Sequence, residues 1–110
     1  MANTFKNETL RASGTTLAPV GSAVASSTQT TIIGMTVANI VSSVISVGVK
    51  LVDSSANETW LVKDAPIPTG GALVVVGGDQ KVVMETGDII KVISNTASSM
   101  DVVMSYLEIT

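Results

Sequence analysis

The sequence predicts an all-β protein, a single antiparallel β-sandwich, jelly-roll-like, of about eight strands. Three observations predict it. Val, Ile and Thr make up 39 of the 110 residues, and β-branched side chains favour extended backbone. Clusters of Gly, Asn, Asp and Ser interrupt the chain at roughly the spacing of short strands. No window carries an apolar stripe of helical period with caps at its ends.

Taken in order, Thr4–Ala12 reads as a first strand, with Phe5, Asn7 and Thr9 alternating against Lys6, Glu8 and Leu10. Residues 1–12 could serve as an N-terminal docking strand, because an apolar Phe5 and Leu10 suit a terminus tied to a surface. A short piece at Thr15–Ala18 ends at Pro19, and the Ser/Ala/Thr-rich Gly21–Gln29 reads as loop. Thr30–Ala38 and Val44–Asp53 follow as strands around a polar turn. Alternation puts Ile33, Met35 and Val37 on one face of the first, and Ile45, Val47, Val49 and Leu51 on one face of the second. The uncharged run Ile32–Val49 has the length of a membrane span, but its Ser, Thr, Asn and Gly content and the lack of positive residues and aromatics flanking it on both sides argue against one. Glu58–Ala65 is a strand with Trp60 and Val62 on one face, and Pro66–Gly71 is a bend. Ala72–Val76 is an apolar strand, and Gly77-Gly78-Asp79-Gln80 reads as a hairpin turn. Lys81–Glu85 and Asp88–Ser94 form a second hairpin through Thr86-Gly87, and Asp101–Ile109 is the last strand.

Composition limits the chemistry. The chain has no Cys and no His, so it lacks a thiolate nucleophile and the usual general base near neutral pH. Its 13 serines include no Gly-x-Ser-x-Gly element. Asp79, Glu85, Asp88 and Asp101 fall at or near turns, without the spacing of a calcium loop. Gly77-Gly78-Asp79-Gln80-Lys81 leads into a strand, where a phosphate-cradling loop would lead into a helix. Six Lys and Arg against nine Asp and Glu give a net charge of −3, a poor footing for nucleic acid. No enzymatic activity, cofactor, metal, nucleic-acid partner or membrane partner is expected.

The pattern says more about surfaces than about chemistry. Leu73–Val76, Val82–Met84, Ile89-Ile90, Val92-Ile93, Val102–Met104 and Tyr106-Leu107 are apolar at adjacent positions. One face of each strand can fill a sandwich core. The other must meet a neighbour, a covering loop or water. Charged residues are 14% of the chain, against about 25% in ordinary soluble domains. Both facts point to assembly. Phe5, Leu10, Trp60, Met104 and Tyr106 are the expected interface residues, with Trp60 open to either a core or an anchoring role.

The segment Pro66–Ser94, together with Thr31-Ile32-Ile33-Gly34-Met35-Thr36-Val37-Ala38-Asn39 and the closing Tyr106-Leu107-Glu108-Ile109-Thr110, resembles small structural proteins of tailed bacteriophages, cyanophages and other marine phages in particular. The resemblance runs from about Thr30 to the C-terminus. It implies a virion component with a sandwich or jelly-roll-like fold, made in the host cytoplasm. It further implies binding to the major capsid protein or other virion proteins. A decoration (cement) protein on the head surface, self-associated as a trimer, is the leading expectation. A neck, tail or baseplate component comes next, and a carbohydrate-binding attachment module after that.

Overall fold

The computed structural model describes residues 2–110. The described residues form nine strands: β1 Asn3–Ser13, β2 Ala18–Val20, β3 Gln29–Asn39, β4 Ile45–Val52, β5 Glu58–Ile67, β6 Ala72–Val76, β7 Val82–Met84, β8 Ile89–Ser94 and β9 Met100–Ile109. One sheet has the order β1-β9-β3-β6, with β7 also paired to β3; the other has the order β2-β8-β4-β5. Every pairing is antiparallel. β6 and β7 both run against β3, at Met35–Ala38 and at Thr30–Ile32. They are one strand position interrupted by residues 77–81. Counted that way, eight positions divide as 1-9-3-6 and 2-8-4-5, the strand order of a jelly roll.

The core lies between the sheets. The five-stranded sheet contributes Ile32, Met35, Val37, Val76, Met84, Met100, Val102 and Met104. The four-stranded sheet contributes Val20, Ile45, Val47, Val49, Ile67, Ile90 and Val92. The phase predicted for β4 matches, with Val47 and Val49 opposite Ser94 and Val92. The phase predicted for β3 does not hold along its whole length. A register shift between Ile32 and Gly34 moves Ile32 into the core and Ile33 out of line with Met35 and Val37. A bulge adds one residue, and one residue reverses the face.

The connections also differ from the sequence expectation. Thr86-Gly87 does not close a hairpin: β7 belongs to one sheet and β8 to the other. Gly77–Gln80 is an excursion within a single strand position, so it is not a hairpin turn either. Pro19 lies inside the short edge strand β2, opposite Lys91. Pro66 extends β5 to Ile67 at an outer edge, where a missing N–H costs no ladder bond.

Two polar clusters tie the sheets together. Asn39 ends β3 as a buried side chain. Its Nδ2 donates to the carbonyls of Ser43 (2.7 Å), Ile67 (3.0 Å) and Pro68 (3.2 Å), and its Oδ1 accepts from the Val41 N–H (2.9 Å). One amide thus closes the β3–β4 turn and fastens it to the end of β5. At the other cluster the buried Ser94 and Ser99 hydroxyls share a hydrogen bond of 2.6 Å. The Ser94 and Ser99 N–H groups donate to the carbonyls of Gly14 and Ser13.

The β4–β5 turn carries a titratable contact. Asp53 Oδ1 accepts from the Ser55 and Asn57 N–H groups, both at 2.9 Å. The Asn57 N–H, above all, holds the Asp53 carboxyl below its ordinary range. A depressed folded-state pKa gives stability that is present above the unfolded value and lost as pH falls through the folded one. Asp53→Asn is therefore expected to lower the melting temperature at neutral pH. The gap from the parent should close as pH falls below the ordinary aspartate range, as thermal melts across a pH series would check.

Candidate interaction surface

The two sheets present different outer faces. On the five-stranded sheet, partners across the strands share a face. Phe5 pairs with Leu107, Leu107 with Thr31, and Thr31 with Val83. Thr9 pairs with Val103, Val103 with Thr36, and Thr36 with Val74. These are two rows of apolar and threonine side chains crossing the sheet. Between them runs a row of small polar positions, Asn7, Ser105 and Gly34. Phe5 is 72% exposed, Val83 65%, Val74 64% and Val103 43%. No charged residue stands in the three rows; Arg11 and Asp101 lie beyond them, at one end of a groove of about 270 Å³ that Thr9, Thr36, Ala38 and Val103 line.

The four-stranded sheet turns charge outward. Lys50 pairs with Lys91 on one side and with Trp60 on the other. The Lys50 ammonium lies 5.1 Å from the Trp60 ring centroid and pairs with Glu58, while Lys63 approaches the same ring at 5.8 Å. A cation over an indole face is attracted by the ring quadrupole. The indole lies over Gly48, where an added Cβ would stand 2.7 Å from Cζ3. Gly48→Ala should therefore push the ring off the sheet, uncover Lys50 and cost about 1–3 kcal/mol. Trp60 is the sole tryptophan, so its emission would shift to the red and report the change directly.

The five residues expected at an interface do not come together. Phe5 stands on the outer face of the five-stranded sheet, opposite Leu107. Trp60 stands on the outer face of the other sheet; bulges in the β4–β5 pairing put it out of phase with Val62, which pairs with Val49. Met104 is buried in the core at 4% exposure, and Leu10 packs on that core, opposite Val102. Burial removes Met104 from any surface, so its role is packing. Tyr106 packs at the core margin and lines a cleft of about 270 Å³ with Glu8, Thr30, Met84, Met104 and Glu108. Desolvation first, and the Glu8 charge second, raise the Tyr106 pKa. Lys6 and Glu108 form an ion pair of 2.8 Å on the same side of the sheet. Hydrogen bonding to Glu108 raises the Lys6 pKa.

Sequence reasoning identified the doubly apolar strands but not the rows they build. The rows exist because β1, β9, β3 and β6/β7 are neighbours, although β1 and β9 lie at opposite ends of the chain. The signal available was the coincidence of outward Phe5, Val74, Val83, Val103 and Leu107 once the order is known.

No family model and no curated protein matches the sequence. Among solved structures, a chain in "Structure of infectious bursal disease virus Gt strain" is similar with a TM-score of 0.45 and 8% identity. The match covers 98% of this chain and 30% of that one. The chain thus spans under a third of its structural neighbour, and a likeness of this degree assigns neither a family nor a role.

Proposed function

We propose that the chain is a non-enzymatic structural subunit of a virion, a capsid decoration protein that grips the assembled head through the outer face of its five-stranded sheet. The observation that carries this reading is the uncharged pair of rows, Phe5–Leu107–Thr31–Val83 and Thr9–Val103–Thr36–Val74. An outer sheet face in water normally carries polar and charged side chains. This one resembles the dry centre of a permanent interface, where charge is depleted. The resemblance to small phage structural proteins supplies the shell as partner, with the major capsid protein as the surface to be met. Jelly rolls also serve in viral capsid domains, an analogy of fold alone.

The mechanism is mass action. A protein that binds the assembled shell and not the loosened one stabilises the shell by its binding free energy. Many copies on a symmetric lattice multiply a modest contact. No observation favours sugar binding, since Phe5, Trp60 and Tyr106 stand on three separate surfaces. A neck or tail component could use the same face and would differ in copy number.

Quantitative mass spectrometry of purified virions tests the assignment. On the order of hundreds of copies per particle is the expected result for a lattice-bound subunit. A single ring's worth would move the protein to the neck or tail. Absence from the particle would end the reading.

A further inference from the structure

The free edges of the two sheets are not alike. An edge strand exposes unpaired N–H and C=O groups and normally carries a device that prevents pairing. β2 has three residues and contains Pro19. β5 contains Pro66, and Asp64 breaks its regularity with φ 52°. The β6/β7 edge is two short pieces separated by residues 77–81. β1 has eleven residues, no Pro and no Gly; its register is unbroken from Asn3 to Leu10, its irregularity at Ala12 (φ 53°) falls beyond that run, and its inward charges are one of each sign, Lys6 and Glu8. Among the described residues its sheet neighbour is β9 alone.

The direction of its free groups follows from the ladder. Ala2 and Thr110 exchange both backbone hydrogen bonds, each at 3.0 Å. By alternation, Thr4, Lys6, Glu8 and Leu10 bond to β9. Asn3, Phe5, Asn7 and Thr9 turn their N–H and C=O groups to the open side.

We propose that two copies of this chain join along β1, antiparallel, with Asn7 on the twofold axis. The register follows from charge. Centring the axis on Lys6 or on Glu8 sets that residue against its own copy, and like charges directly opposite are destabilising. Centring it on Asn7 sets Lys6 of each copy opposite Glu8 of the other. Both side chains lie on the inner side, and the pair falls at a non-hydrogen-bonded position, where facing side chains are closest. Asn7 meets its own copy and Phe5 meets Thr9, through about six interchain hydrogen bonds. Registers shifted by one residue would place inner side chains opposite outer ones.

This register also joins the outer surfaces. The row ending in Phe5 continues into the partner's row beginning with Thr9, and the Asn7–Ser105–Gly34 row continues into itself. The pair then has one continuous ten-stranded sheet whose outer rows carry no charge between the Arg11 and Asp101 positions at their ends. A twofold seam closes on itself and leaves the β6/β7 edges outermost. The arrangement replaces the trimer expected from the sequence with a dimer. It goes beyond the decoration reading and forms or fails in free protein, with no shell present, so the two can fail separately.

Sedimentation equilibrium of the purified full chain tests it. The parent should be a dimer at about 100 μM. Asn7→Pro removes an N–H that β9 does not use, so the monomer should keep its strand spectrum and its melt while self-association falls at least tenfold. Lys6→Glu should dissociate the pair, and Lys6→Glu with Glu8→Lys should restore it. The double variant does not restore the Lys6–Glu108 contact, so its recovery reports the interchain pair. A monomeric or trimeric parent, a dimer that survives Asn7→Pro in folded protein, or a double swap that fails to rescue would each overturn the proposal.

Discussion

Asn39→Asp should cost about 3 kcal/mol of stability at neutral pH. The parent amide gives its two protons to three carbonyls, those of Ser43, Ile67 and Pro68. A carboxylate has no proton to give and would set a negative charge against three carbonyl oxygens at a buried site. Removing one partner of a buried polar group leaves the remaining groups desolvated and unpaired, which is costlier than the net worth of the bonds. Asn39→Ala should cost less, about 2 kcal/mol, because it leaves unpaired groups without adding charge. A distinguishing sign is the pH dependence. The Asn39→Asp variant should regain part of its loss as pH falls through the carboxylate range, since a protonated acid donates again. Urea unfolding at pH 7 and pH 4 would measure both effects. A full loss for Asn39→Ala beside none for the isosteric Asn39→Asp at pH 7 would show that Asn39 contributes by shape alone.

Val103→Lys should abolish association with the proposed partner while leaving the fold intact. Val103 is 43% exposed in the middle of the row Thr9–Val103–Thr36–Val74. In free protein a lysine there stays solvated, and the loss of stability should stay below about 1 kcal/mol. In a dry interface the same ammonium would be buried without a partner, at a cost of several kcal/mol. Binding to the shell should therefore fall at least ~100-fold. Lys91→Ala, on the outer face of the other sheet, should change binding little. Sedimentation of the labelled variants with purified shells would measure this. Equal binding by parent and Val103→Lys would remove the five-stranded face from the account.

The class of fold was legible because it depends on local chemistry. β-branched content, period-2 alternation and the punctuation by Gly, Asn and Asp gave most of the strands within a residue or two. The inward set on β4, Ile45, Val47 and Val49, was legible for the same reason. What failed was nonlocal. The bulges that reset β3 after Ile32 and β5 between Trp60 and Val62 leave no mark in the alternation, because they are set by the strand across the ladder. The link at Thr86-Gly87 has the composition of a hairpin turn, yet it crosses between sheets. There the Gly87 N–H donates to the Val24 carbonyl, and the Val24 N–H donates to the Asp88 carbonyl. The turn closes locally, with the Asp88 N–H donating to the Glu85 carbonyl, and a remote loop is fastened to it where the chain passes to the other sheet.

The same limit applied to the candidate surface. Adjacent apolar residues at Val74, Val83 and Val103 announced strands that are greasy on both sides. That these three share one face with Phe5 depends on β1, β9, β3 and β6/β7 being neighbours. Met104 was misread for a simpler reason. In an alternating strand a one-residue choice of phase decides between core and surface, and its neighbour Val103 took the outward position.

The central claim is that the outer face of the five-stranded sheet is where this protein meets its partner. A density map of the assembled particle, with this chain fitted into it, tests that most directly. Phe5, Val74, Val83 and Val103 should lie against the partner, and Lys91 and Trp60 should point to solvent. A fit with the four-stranded sheet against the partner, or with the Phe5 and Val103 rows open to water, would contradict it.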